Sequence, residues 1–136
     1  MIVLDSSVAL KWIFADEDGA EHAERIRNEH ISGKNEIAVP SLFFYEIANV
    51  LATKVKISTD EALEAFELIS AFEFNVHELD VSEYMEAMTL AMKQKVSVYD
   101  ACYHLLASRL GCHFFTADRK FWEKVRGFGV AELQGR

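Results

Sequence analysis

Residues 98–121, VYDACYHLLASRLGCHFFTADRKF, change periodicity part-way along. Val98, Ala101, Cys102, Leu105 and Leu106 gather on one side of a helical wheel, with Asp100 on roughly the opposite side. HFFTA at 113 to 117 then reads as a strand that ends directly in Asp118. The same alternation recurs outward from this stretch. MIVL at 1 to 4, EIAVP at 36 to 40, FNVHEL at 74 to 79 and GVAEL at 129 to 133 are further β-type runs. Between them, helical patterns fall at about 7 to 14, 18 to 31, 41 to 55, 59 to 72, 82 to 94 and 98 to 110, with another at 118 to 125. Ser58 and Ser82 supply helix starts. Repeated βαβ units predict an α/β fold: a mainly parallel central sheet of four to five strands with helices on both faces.

Composition is consistent with one domain over residues 1–136. A chain of 136 residues with 51% hydrophobic content can bury a real core, and one proline, six glycines and no low-complexity stretch leave no candidate linker. MIVL is far too short to span a bilayer and lacks a basic flank, so the expectation is a soluble cytoplasmic protein. Cys102 and Cys112 are too far apart for a CxxC pair and too few for a disulfide framework, which makes them reduced thiols without assigned chemistry.

A net charge of −8 and a pI near 5.1 argue against nucleic-acid binding through bulk positive charge, and for cations or a basic partner. One basic cluster stands out against this background. Arg119, Lys120, Lys124 and Arg126 surround Phe121 and Trp122, either as a phosphate-tracking patch or as a solvated helix face with its aromatics turned inward.

The acids are placed more tellingly than their number suggests. Asp5 ends MIVL and Asp118 ends HFFTA, where open α/β sheets gather ligands. Glu46 lies in the otherwise apolar PSLFFYEIANVL, on a stripe with Leu42, Phe43 and Val50, where an unpaired carboxylate is costly. Each acid also has a plain explanation: a turn or N-cap for Asp5 and Asp118, an ion pair or edge position for Glu46, and a capping box with Ser97 for Asp100. One metal site at the strand carboxyl ends accounts for Asp5, Glu46, Asp100 and Asp118 together.

With these residues in view, the sequence resembles the PIN-domain ribonucleases, and among them the VapC-type toxins of toxin-antitoxin pairs. VLDSSVALKWI is similar to the family's opening strand and first acid, VPSLFFYEIANVL to its second, and VYDACYHLLASRLGCHFFTADRKF to its third and fourth. The likeness spans nearly the whole chain. It implies that Asp5, Glu46, Asp100 and Asp118 are catalytic metal-binding acids, with Ser6 and Thr116 as hydroxyls orienting ligands or water. It also implies a metal-dependent endoribonuclease, a cognate antitoxin and a homodimer.

Clustered carboxylates without a thiolate or a well-spaced histidine suit Mg²⁺ or Mn²⁺ rather than zinc. His22, His30, His77, His104 and His113 are scattered, and surface or satisfied-core roles are expected for them. Either Glu46 or Asp118 is placed to assist an attacking water as base. Leu42, Phe43, Phe44, Tyr45 and Ile47 make the second-acid helix apolar almost all round, which points either to a homodimer or to a fully buried central helix.

Three other readings compete. A phospho-receiver domain needs a strand-end lysine, whereas the exits carry Asp5, Pro40, Asp80 and Asp118. A silent PIN-like binding module has no need of four acids. A phosphatase with an aspartate nucleophile needs a second acid two residues on, where Ser7 stands.

Overall fold

The computed structural model describes residues 1–14, 19–128 and 131–133. In chain order the elements are β1 (Ile2–Leu4), α1 (Ser6–Ala9), α2 (Ala20–Ile31), β2 (Ile37–Pro40), α3 (Leu42–Thr53), α4 (Thr59–Ser70) and β3 (Asn75–His77). They continue with α5 (Val81–Gln94), α6 (Val98–Leu110), β4 (His113–Thr116), α7 (Arg119–Val125) and β5 (Ala131–Leu133). The alternation expected from the sequence is present throughout. Residue 18 of the second expected helix and residues 129 and 130 of the last expected strand lie outside the described residues.

Two local expectations need correction. The helix expected over 7 to 14 starts at Ser6 because Asp5 caps it, and after Ala9 it tightens into a 3-10 turn, Leu10–Trp12. The start of α5 belongs to Asp80 rather than Ser82. Asp80 accepts from Glu83 N–H at 2.8 Å and Glu83 Oε1 accepts from Asp80 N–H at 3.1 Å, a complete capping box. Ser82 lies inside the helix and donates its hydroxyl to Asp80 at 3.2 Å. Ser58 does cap α4, through the equivalent pair of bonds with Glu61.

All strand pairings among the described residues are parallel, in the order β3-β2-β1-β4-β5. From β1 the chain moves outward through β2 and β3, then returns to the other side of β1 to lay down β4 and β5. With right-handed crossovers, α1 to α4 cover one face and α5 to α7 the other. The order reverses between β1 and β4, and that switch point opens a crevice beyond their carboxyl ends.

The core forms around the sheet. Val3, Leu4, Ile37, Ala38, Val39 and Phe114 are fully buried strand residues, as continuous apolar runs in a two-faced parallel sheet must be. Phe43, Ile47 and Leu51 of α3 and Ile69 of α4 pack in the same cluster, as do Tyr103, Leu106 and Ala107 of α6. A second cluster joins Ala87 and Ala91 of α5 to Ala101, Cys102 and Leu105 of α6. Helix α6 is therefore buried on both sides, between the sheet and α5. The side of the wheel that carries Asp100 faces the interior crevice, with Tyr103 one turn further on.

Candidate active site at the strand carboxyl ends

Asp5 follows the last residue of β1, and Thr116 is the last residue of the adjacent β4. Both are buried. Asp5 is a cap and a site residue at once: its Oδ1 accepts from Ser7 N–H at 3.0 Å and from the Ser7 hydroxyl, which starts α1. Its Oδ2 accepts from Thr116 Oγ1 at 2.6 Å. Thr116 Oγ1 in turn accepts from Asp118 N–H at 3.0 Å, and Ser7 Oγ accepts from Ala117 N–H at 3.0 Å. The loop after β4 is thus tied to the loop after β1 through two hydroxyls.

Asp5 sits where ionisation is opposed. Burial pushes its carboxyl up to about 7 against the hydrogen bonds from Ser7 and Thr116, and the charges of Asp100 and Glu46 add to the rise. Glu46, on α3, is also raised, first by burial and then by Asp100. Its Oε1 accepts from Tyr103 Oη at 2.5 Å and from Ser6 Oγ at 3.5 Å. This carboxylate is half-buried and held by hydroxyls rather than turned out to solvent. A tyrosine holds it, and burial together with the Glu46 charge raises that phenol in turn.

Asp100 occupies the third helical position of α6. Ser97 caps the helix by accepting from Asp100 N–H at 3.0 Å, so the capping function rests on the Asp100 backbone. Its side chain is raised by burial, with the Ser97 hydroxyl opposing and the Asp118 charge adding to the rise; Lys124 pulls the other way. Asp118 caps α7, its Oδ1 accepting from Phe121 N–H at 3.1 Å. The electrostatic couplings run from Asp5 to Glu46 and Asp100, and from Asp100 to Asp118, so all four acids act on one region.

The acids do not form a finished cage. Among the described residues no group of three His, Cys, Asp or Glu side chains stands close enough to hold a metal ion as positioned. The donor chemistry nonetheless fits a hard cation, since the region offers carboxylate and hydroxyl oxygens with no thiolate and no histidine. Ion binding there requires a shared adjustment of side chains.

The proposed hydroxyls Ser6 and Thr116 are both at the site, Thr116 more tightly held. Two further residues were missed. Tyr103 could have been found from its spacing, three residues past Asp100 on the same helical face. Ser7 had only its place two residues after a strand-end aspartate as a signal, the spacing of an Asx turn.

The basic residues divide. Phe121 and Trp122 are buried, so α7 does turn its aromatics inward. Arg119 pairs with Glu123 at 3.5 Å, and the Arg126 guanidinium lies 4.9 Å from the Trp122 ring centroid. Lys124 donates to Lys95 O at 2.8 Å and is the cation felt by Asp100. Lys120 is exposed on the same helix.

The histidines depart from expectation at two positions. His30 is satisfied between Ile37 N–H and Phe72 O, and His113 pairs with Glu132 at 2.9 Å. His77 Nε2 and His104 Nε2 are buried and have no hydrogen-bond partner among the described residues.

The PIN domain model matches residues 2–127. This chain belongs to the PIN domain family. Within that family it is of the VapC type, being 35% identical over 130 residues to Ribonuclease VapC3 of Pyrobaculum aerophilum, a match covering 90% of this chain and 93% of that one. Solved structures share the fold. PAE2754 from Pyrobaculum aerophilum superposes with a TM-score of 0.67 at 21% identity, covering 96% of this chain and 82% of its own. A toxin-antitoxin complex from Klebsiella pneumoniae gives 0.68 at 11% identity, covering 97% and 96%. No helix among the described residues of this PIN domain is long and apolar enough to cross a membrane.

Proposed function

We propose that this PIN domain is a cytoplasmic, VapC-type endoribonuclease that hydrolyses RNA phosphodiester bonds with Mg²⁺ or Mn²⁺ held by Asp5, Asp100 and Asp118, with Glu46 beside them. The observation that carries the reading is Asp5: a buried carboxylate at the sheet's switch point, fixed by Thr116 and Ser7 and raised by burial and by two neighbouring acids. Such a group is poorly suited to stabilising the fold and well suited to receiving a cation. The 35% identity to a protein named as a ribonuclease supports the same reaction.

The ion, when bound, polarises the phosphoryl group and lowers the pKa of the attacking water. The chain's own residues do the remainder. Thr116 and Ser7 hold both Asp5 oxygens in place, so ligand orientation does not depend on the substrate. Glu46 takes up the proton of the attacking water: its pKa is raised towards the working range and Tyr103 fixes its Oε1, while Oε2 accepts no hydrogen bond among the described residues. Asp118, engaged as a cap, has less freedom for that role. Lys124, with Arg119, Lys120 and Arg126 around it, receives flanking phosphates, which lets an acidic chain bind RNA locally.

A cognate antitoxin restrains the enzyme by placing a basic side chain among these acids, a role consistent with structural likeness to a toxin-antitoxin complex. The chain forms a homodimer. Within one copy, α3 covers its own Phe43 and Ile47 and exposes Tyr45, so the apolar excess expected there is mostly satisfied. The stronger argument is now α5, where Val81, Met85, Met88 and Met92 form one exposed stripe.

Incubation of the purified protein with structured RNAs and Mg²⁺ or Mn²⁺ should give a defined set of cuts. Excess EDTA, Asp5→Asn, Glu46→Gln and Asp100→Asn should each nearly abolish them. Undiminished cutting in EDTA would overturn the metal-dependent reading. In cells, expression of the wild type should arrest growth and Asp100→Asn should not.

A further inference from the structure

Beside the acid cluster, at the carboxyl ends of β2 and β3, lies a cleft of about 220 Å³ whose walls the nuclease reading does not use. Pro40 and His77, partners in the β2/β3 register, bring the two strand ends into it. Three tyrosines from three helices surround it: Tyr45 of α3, Tyr84 of α5 and Tyr99 of α6. All three are largely exposed, at 74%, 48% and 62%. Three aromatic rings left in water around one concave site are unusual, since most of this chain's described aromatics are buried or half-buried.

The position of these rings identifies the occupant. Tyr45 immediately precedes Glu46, and Tyr99 immediately precedes Asp100. Cys102 lines the cleft and feels the Glu46 charge, which ties cleft and acids into one surface. The walls carry no cation to take a phosphate. Flat faces, phenolic hydroxyls and an imidazole suit a planar, uncharged heterocycle with polar edges.

We propose that this cleft binds one unpaired nucleobase of the RNA, adjacent to the phosphate being cut, by stacking on Tyr99 and Tyr45, with Tyr84 closing the side. The proposal rests on the endoribonuclease reading and extends it. A base in a duplex is stacked and cannot enter, so the cleft selects single-stranded or looped RNA at that nucleotide.

The test uses the full chain with Ca²⁺ in place of Mg²⁺ and measures fluorescence anisotropy of labelled RNA decamers: single-stranded oligoadenylate and oligouridylate, a duplex of the same length, and single strands with one abasic nucleotide moved along the sequence. Tyr99→Ala and Tyr45→Ala should each weaken single-strand binding by roughly 5- to 100-fold, while Tyr99→Phe and Tyr45→Phe bind like the wild type. One abasic position should weaken wild-type binding to a similar degree and cost Tyr99→Ala nothing further. The duplex should bind least.

Equal affinity for single strand and duplex, or indifference to the abasic nucleotide at every position, would overturn the proposal without reference to any variant's folding. So would alanine variants that lose a dimeric mass in light scattering and keep full RNA affinity, because the cleft would then be a contact between copies. A wild type that cuts RNA in Mg²⁺ while Tyr99→Ala cuts it at the same sites with the same kcat/KM would reject the base cleft and leave the nuclease reading standing. A wild type that neither binds nor cuts RNA would reject both.

Discussion

Thr116 and Asp5 are 111 positions apart in sequence and joined by a 2.6 Å hydrogen bond across the β1/β4 pair. The bond spans the sheet's switch point, and Thr116 is fully buried. Because the same hydroxyl accepts from Asp118 N–H, its proton is committed to Asp5. Thr116→Val keeps the shape and removes that donor. It should destabilise the protein by about 1–3 kcal/mol in chemical denaturation above pH 7, where Asp5 is ionised, and by less near pH 5, where it is protonated.

The raised pKa of Asp5 predicts how stability depends on pH in metal-free protein. A carboxyl near 7 in the folded chain and near 4 in the unfolded chain makes the folded state bind more protons between those values. The Asp5 contribution therefore weakens folding as pH rises from about 4 to 7, by on the order of a few kcal/mol. Asp5→Asn should flatten that slope in EDTA. Unfolding curves for both proteins across this range check it, and parallel slopes would place the raised group elsewhere.

Ser97 and Asp100 separate cap from site. Since the cap bond uses the Asp100 backbone, Asp100→Asn leaves it in place and removes a carboxylate raised by burial and by Asp118. The variant should be neutral or more stable in EDTA, whereas Ser97→Ala should lose about 0.5–2 kcal/mol with or without metal. Mg²⁺ at a hundred times its dissociation constant should stabilise the wild type by about 2.7 kcal/mol and Asp100→Asn by much less. Thermal unfolding at matched ionic strength would show this as a shift of several degrees.

Tyr103→Phe tests the support of Glu46. The ring stays stacked on Phe114, where the centroids are 5.9 Å apart and the planes 6° from parallel, but the donor to Oε1 is gone. Glu46 should then ionise at higher pH, moving the acidic limb of the kcat/KM profile upward. An unchanged profile would remove Glu46 from the proton-accepting role.

At the start of α5, Asp80→Ala should destabilise by about 0.5–2 kcal/mol and Ser82→Ala by close to nothing, because Asp80 and Glu83 close the capping box. Urea unfolding of the two variants compares them directly.

The architecture was legible because short apolar runs and helical patterns alternate without interruption, and every strand expected from that alternation is present. Local choices between neighbouring polar residues were less legible: Asp80 and Ser82 are both sound caps, and only the reciprocal bond with Glu83 decides. Asp5 and Asp118 were legible as strand-end acids, and both cap the helix that follows. Tyr103 and Ser7 escaped notice because their importance comes from what the fold brings opposite them. The burial of α6 on both sides was hidden for a related reason: the side with Ala101, Cys102 and Leu105 reads as apolar, whereas Tyr103 and Ala107, which pack with the sheet, share their side of the wheel with Asp100.

The position of β4 beside the central β1 has a consequence for timing. Strand β1 is made first, yet one of its two partners spans residues 113–116, and the loop holding Asp5 is tied to Thr116 and Ala117. A chain emerging from synthesis can pair β1 with β2 and β3 early, but it lacks the partner that fixes Asp5 until residues 113–117 have been made, more than a hundred positions later. Its helices can form on schedule while the acid cluster is still missing half of its frame. For an enzyme that cuts RNA, the order of strands postpones assembly of the acid cluster until β4 has followed β1 out of synthesis.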